Sequence, residues 1–230
     1  MLIKKNVELI NDRISISAKI SGRKAEEIMI VAATKTVDIS KIIEAISFGL
    51  NIFGENYIQE AEKKIPAIKN NISWHFIGHL QKNKAKAAVT LFDIIETVDS
   101  FELAEKINSA SKSSNKIQKI LIQVNPELEV SKHGINPENT FDLLDKIQHF
   151  ENIDIRGLMM IPPFYKNPEE NRKNFSLLRS LKEKIDKTGF KNWKGDFLSM
   201  GMSEDFEIAI EEGSNLIRLG RAIFGERLKK

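Results

Sequence analysis

The stretch IMIVAAT (residues 28–34) is a continuous apolar run rich in β-branched residues. That pattern suits a strand covered on both faces, the kind found in parallel sheets flanked by helices. Seven more short apolar runs follow: NIF (51–53), SWHFI (73–77), DIIETV (93–98), IQKILIQV (117–124), IDIRGLM (153–159), DFLSM (196–200) and NLIRLG (215–220). Helical patterns separate them. Apolar residues recur at helical spacing in Ile58, Ala61, Ile65 and Ile68, in Phe101, Ala104 and Ile107, and in Phe175, Leu178, Leu181 and Ile185. The spacing predicts helices over 40–48, 101–112 and 169–187, with a polar loop at SASKSSNK (109–116). Ahead of the first strand, Ile3, Val7, Ile10 and Ile14 mark an amphipathic helix ending near Gly22. An open doubly wound sheet accommodates such alternation, but eight βα units in 230 residues, about 29 each, match a closed (β/α)8 barrel of the TIM type more closely. The expectation is an α/β fold: one such barrel over residues 1–230 with an extra N-terminal helix.

Composition narrows the function. With 41% hydrophobic and 29% charged residues the chain can bury a sizeable core. A net charge of +3 is too balanced for a protein that lives by neutralising nucleic-acid phosphates. The chain has no cysteine, which excludes disulfides, thiolate metal sites and cysteine nucleophiles, and only four histidines. MLIKKNVELINDR lacks the apolar centre of a signal peptide, and no apolar run reaches the ~18 residues of a membrane span, so a cytoplasmic location is expected.

In a (β/α)8 barrel, chemistry gathers where strands end and βα loops begin. Lys35 closes the most apolar strand; partial desolvation there would free its amine as a nucleophile, although from position alone a strand-end lysine reaching to water is the ordinary reading, which only context overturns. SMGMS (199–203) offers small residues and hydroxyls before a helix expected over 204–211, and Gly220-Arg221 follows the last strand. The loops after strands seven and eight often bind a phosphate, and Ser203 suits either a phosphate ligand or a plain N-cap. Arg218 lies inside the last strand, where an inward charge needs acceptors. Together, a lysine on strand one, a phosphate cup and an inward arginine describe a site for pyridoxal phosphate: aldehyde to lysine, phosphate to cup, ring nitrogen to arginine.

VAATKT, FGENYIQE, WHFIGHLQKNK, GLMMIPP and LSMGMSEDFEIAIEEGSNLIRLGRAIFG resemble, in order and spacing, the YggS/PROSC family of pyridoxal phosphate homeostasis proteins, relatives of the alanine racemase barrel domain. The resemblance covers nearly the whole chain. It implies pyridoxal 5'-phosphate held as an internal aldimine on Lys35, Ser203 and the backbones of Gly220 and Arg221 on the phosphate, Arg218 at the pyridine nitrogen, Asn56 near the ring, and Met200 among the cofactor contacts. It also implies a role in cofactor supply without substantial turnover, with pyridoxal-phosphate-dependent apoenzymes as possible recipients and a monomer or weak homodimer as the assembly. Three positions depart from the family pattern: Thr36-Val37-Asp38 where Thr-Lys-Pro is common, Arg221 where a small hydroxyl residue is common, and His133 where Ser is usual.

The alternative function is an amino-acid racemase. Two-base racemisation needs an acid/base on each face of the substrate, and only Tyr57 and Tyr165 are available beside the lysine. A phosphosugar barrel would explain the cup but not Lys35 and Arg218 together. His75 and His79 stand four apart, but the intervening FIG reads as a strand end that parts the imidazoles, and no metal is expected there. KNKAK (82–86) reads as a solvated basic helix face.

Overall fold

The structure, a computed structural model, describes residues 2–127 and 133–226. Eight parallel strands form in chain order: β1 (Met29–Ala33), β2 (Ile52–Glu55), β3 (Ser73–Phe76), β4 (Ile94–Val98), β5 (Gln118–Gln123), β6 (Ile153–Met159), β7 (Trp193–Ser199) and β8 (Leu216–Leu219). Each pairs with its neighbour, and β8 returns to β1 with Met29 opposite Leu216 and Val31 opposite Arg218, which closes the barrel. The expected (β/α)8 architecture and its eight strands are therefore present, and α1 (Leu2–Ile20) supplies the extra N-terminal helix.

The connecting helices are α2 (Ile39–Ser47), α3 (Ile58–Lys64), α4 (Ala85–Leu91), α5 (Phe101–Ser113), α6 (Thr140–Ile147), α7 (Arg172–Ile185), α8 (Phe206–Glu211) and the single turn α9 (Arg221–Phe224). Each lays an apolar stripe on the outside of the strands, as Phe175, Leu178, Leu181 and Ile185 of α7 do. Burying such a side chain contributes roughly 1.5–3 kcal/mol, so this outer layer carries most of the hydrophobic stabilisation.

Three boundaries differ from the sequence expectation. Residues 109–113 continue α5 rather than starting a loop, because Ser111, four residues after Ile107, is buried on the helix's inner face; small residues let the last turn pack closely. The helix expected over 204–211 starts only at Phe206, after Asp205. The helix over 169–187 opens as a 3₁₀ turn (Pro168–Asn171) before α7.

Strand alternation builds the barrel interior in two levels. Val31, Ile77, Ile94, Leu121, Met159 and Leu216 form a separate apolar cluster. Two residues along the same strands, the inward positions turn polar: Glu96 after Ile94, Ser199 after Phe197 and Arg218 after Leu216. Gly157 permits the close β6–β7 approach, since a side chain there would overlap the Phe197 carbonyl oxygen at a φ of +148°. Apolar packing thus fills the interior below, and chemistry begins one step above it, at the C-terminal rim.

Candidate functional site

A cavity of about 260 Å³ opens at this rim and is lined by Lys35, Asn56, Ser203, Arg218, Gly220 and Arg221, together with Tyr165 and Met202. Six of the seven site residues expected from sequence thus share one wall system. Met200 is the exception: it is fully buried in the outer core, because it lies one step off the inward register. The methionine on the cavity wall is Met202, beyond the strand end.

Lys35 follows the end of β1, and the two residues that flank it are held from below. Thr34 Oγ1 donates to the Gly54 carbonyl (3.1 Å) and to Glu55 Oε1 (2.7 Å). Lys64 Nζ, near the end of α3, donates to the Thr34 carbonyl (2.8 Å), to Glu55 Oε1 (2.8 Å) and to Glu60 Oε2 (2.7 Å). Glu60 Oε2 in turn accepts the Thr36 backbone N–H at 2.9 Å. Thr36 sits at φ +64°, a left-handed conformation that a β-branched residue adopts only at a cost of about 1–3 kcal/mol, so its surroundings must impose it. The brace of Glu55, Glu60 and Lys64 does so, and thereby fixes the backbone that carries Lys35. Burial pushes the Glu55 carboxyl above the usual range, against the Lys64 and Thr34 hydrogen bonds that lower it. One of its oxygens, Oε2, is buried with no hydrogen-bond partner among the described residues.

Arg218 is held from inside the barrel. Its Nη1 donates to Ser199 Oγ and its Nη2 to the Met160 carbonyl, both at 2.6 Å. Ser199 Oγ donates onward to Glu96 Oε2 (2.6 Å), and Glu96 Oε1 lies 2.6 Å from His75 Nδ1. Burial alone would raise Glu96, but His75, Arg218 and Ser199 outweigh it and hold the carboxyl below the usual range. Burial likewise pulls Arg218 down, while Glu96 and Asp205 oppose the loss of its charge. The cavity floor is therefore a fixed cation with a fixed counter-ion.

On the opposite wall, Ser203 does not cap α8; that place belongs to Asp205, whose Oδ1 accepts the Met202 N–H at 2.7 Å. Ser203 Oγ instead accepts the Ala222 N–H (3.2 Å), which ties the loop after β7 to the first turn of α9. Gly220 is the N-cap of that turn, whose first N–H groups are not consumed by helical bonds. The Arg221 guanidinium pairs with Glu204 (3.0 Å) at the mouth. Asn56 Oδ1 is buried and unpartnered among the described residues. Gly78 lets its loop lie against Asn56, because a side chain at Gly78 would overlap the Asn56 backbone.

An amine, a buried cation, a hydroxyl beside the first turn of α9 and an orphaned amide oxygen thus surround one cavity. This donor set fits a small aromatic aldehyde that carries a phosphate. Tyr165, from the loop after β6, also lines the cavity, and its hydroxyl donates to Glu127; that bond raises the Tyr165 pKa. Tyr57 lies in a separate groove with His79 and Lys84.

Sequence reasoning missed Glu55, Glu60, Lys64 and Glu96, and took Ser199 only as a hydroxyl of the candidate cup and His75 only as a metal question, not as members of the Arg218 network. Glu96 was open to the same argument as Arg218, a charge at an inward position of a barrel strand, and Glu60 and Lys64 carry the i,i+4 signature of an ion pair. Of the SKHG turn, Ser131 and Lys132 lie outside the described residues.

Residues 6–228 match the family model of the alanine racemase N-terminal domain. A protein of Aquifex aeolicus named pyridoxal phosphate homeostasis protein is 39% identical, covering 94% of each chain. The human protein of the same name is 39% identical over 95% of this chain and 84% of its own. Among solved structures, an unknown protein from Bifidobacterium adolescentis superposes with a TM-score of 0.90 at 36% identity, covering 96% of this chain and 94% of that one. PipY of Synechococcus elongatus, solved with PLP bound, gives 0.82 at 31% identity over 94% of this chain and 100% of that one. The chain belongs to the family of pyridoxal phosphate homeostasis proteins, built on the barrel of the alanine racemase N-terminal domain.

Proposed function

We propose that this chain binds pyridoxal 5'-phosphate covalently through Lys35 and holds it as a cytoplasmic reserve for pyridoxal-phosphate-dependent apoenzymes, with little turnover of its own. The observation that carries this reading is the convergence of Lys35, Arg218 and Ser203 on one cavity. When bound, the cofactor supplies an aldehyde that an amine can capture and a ring that accepts electrons. Lys35 Nζ is the amine, presented by a braced turn. Arg218, whose charge Glu96 and Asp205 support, would face the ring nitrogen of the bound cofactor and, being a permanent cation, would not pass it a proton, which would leave the ring a weak electron sink. Ser203 Oγ and the backbone N–H groups at Gly220 and Arg221 would hold the phosphate, and Asn56 would contact the ring. We propose one barrel unit over residues 1–230, as monomer or weak homodimer, with neither nucleic acid nor membrane as partner. Among the described residues no helix is long and apolar enough to cross a membrane.

The racemase reading draws on Tyr165, the one tyrosine on the cavity wall. Its hydroxyl proton is committed to Glu127, whose hydrogen bond makes that proton harder to remove. A tyrosine so held is a poor second base at neutral pH.

Borohydride reduction of the loaded protein followed by peptide mass analysis places a pyridoxyl adduct on Lys35. An adduct confined to Lys82 or Lys84 overturns that assignment. Lys35→Ala abolishes the yellow absorbance, and Ser203→Ala weakens cofactor affinity by roughly 1–3 kcal/mol. Chiral analysis after long incubation with either enantiomer of alanine finds little racemisation; a rate of about 1 s⁻¹ or more, the low end of ordinary turnover, establishes the enzyme instead.

A further inference from the structure

Outside this cavity, the loops that follow β3, β4 and β5 bring His79, Asp99 and His133 together at the same end of the barrel. One ligand atom from each lies within 4.8 Å of the other two. The two imidazoles stack face to face, with centroids 3.5 Å apart and planes inclined by 9°. We propose that His79, Asp99 and His133 form a binding site for a divalent transition-metal ion, of which Zn2+ is the natural probe.

Two imidazole nitrogens and one carboxylate are a donor set that selects borderline ions such as Zn2+, Ni2+ or Cu2+ over Mg2+ or Ca2+. Metal–ligand bonds of about 2.0–2.2 Å place the ligand atoms of a tetrahedral site roughly 3.3–3.5 Å from one another, so the cluster closes on an ion through small side-chain rotations. The stacked rings must splay to aim both lone pairs at one point. Both histidines are exposed and have room to do so. Ligation also requires neutral imidazole. Burial and the neighbouring His133 lower the His79 pKa, against the opposing pull of Asp99. Asp99 makes no ion pair with a lysine or arginine among the described residues, and its charge is directed at the histidines. Three protein ligands leave a fourth position for water or an incoming ligand, as in open zinc sites.

The other histidines serve as internal controls. His75, four residues from His79, is buried against Glu96 on the barrel interior, and His149 lies in α6's trailing loop away from the cluster.

Isothermal titration of the full-length, cofactor-loaded protein with Zn2+ tests the proposal without reference to cofactor chemistry. The expected result is one saturable ion per chain, with affinity reduced about tenfold or more in His79→Ala and in His133→Ser, and unchanged in His149→Ala. Titration with Co2+ gives visible absorption of tetrahedral intensity that both substitutions abolish. Circular dichroism and the yellow absorbance verify that each variant is folded. The absence of saturable binding below millimolar Zn2+ overturns the site, as does binding that survives both substitutions or is lost in His149→Ala.

Discussion

Two buried carboxylates support this site from opposite sides, and they titrate in opposite directions. Glu96, inside the barrel, is held below the usual carboxylate range, whereas Glu55, under the Lys35 turn, is pushed above it. Both side chains are fully buried and both face a cation. The difference lies in how completely each is satisfied. Both Glu96 oxygens are bound, one to His75 and one to Ser199, with Arg218 beyond. Glu55 crowds Thr34 and Lys64 onto a single oxygen and leaves the other without a partner. Desolvation raises both; at Glu96 the hydrogen bond and charge of His75, the charge of Arg218 and the Ser199 bond outweigh it, whereas at Glu55 the Lys64 and Thr34 bonds do not, and the neighbouring Glu60 adds to the rise. Burial is thus compatible with a permanent charge on the Arg218 side and with a labile one on the Lys35 side.

Removing the cations breaks the comparison most forcefully. Arg218→Leu removes the buried charge that Ser199 links to Glu96, leaves Glu96 with His75 alone, and costs about 3–5 kcal/mol, read by urea unfolding. A loss below about 1 kcal/mol means that Glu96 neutralises itself easily and that the Arg218 network is not a fixed ion pair. Lys64→Met is milder, about 1–3 kcal/mol from lost hydrogen bonds, because Glu55 can take up a proton and Glu60 reaches water. Equal costs for the two variants erase the distinction. Lys64→Met also releases the hold on the Thr34 carbonyl, so a change in the rate of cofactor capture at Lys35, with the folded fraction held constant, marks the brace as a positioning device.

The barrel and the cavity were far more legible in the sequence than the networks beneath them. Strand after strand announced itself as a β-branched apolar run because both faces are buried, and Lys35, Ser203 and Arg218 stood out as polar residues at strand ends or inside strands. Met200 misled because residues one apart on a strand face opposite ways, and only register decides which methionine reaches the cavity. Ser203 lines the cavity, yet its partner comes from residue 222, a contact between loops that no local capping rule contains. The Glu96 chain joins β3, β4, β7 and β8, and its members are ordinary polar residues until barrel closure brings them together. The His79, Asp99 and His133 cluster is hidden for the same reason, being spread over three loops.

The finest test of the comparison is the pH dependence of stability, where the two glutamates must act with opposite sign. For Glu96 the folded pKa lies below the unfolded value of about 4.5, so its contribution is complete above that pH and is lost as the pH falls through the lower folded value. For Glu55 the folded pKa lies above about 4.5, so its contribution is complete below that pH and is lost as the pH rises through the raised value. Glu96→Gln and Glu55→Gln isolate the two effects. On acidification, the stability advantage of the parent over Glu96→Gln holds constant down to about pH 4.5 and then shrinks. The advantage over Glu55→Gln grows as the pH approaches 4.5 from above and is level below it. Urea titrations at closely spaced pH values read the direction of each change. Two differences that move the same way with pH would show that the unpartnered oxygen of Glu55 does not set its titration, and the contrast between the two flanks of the site would then rest on the cations alone.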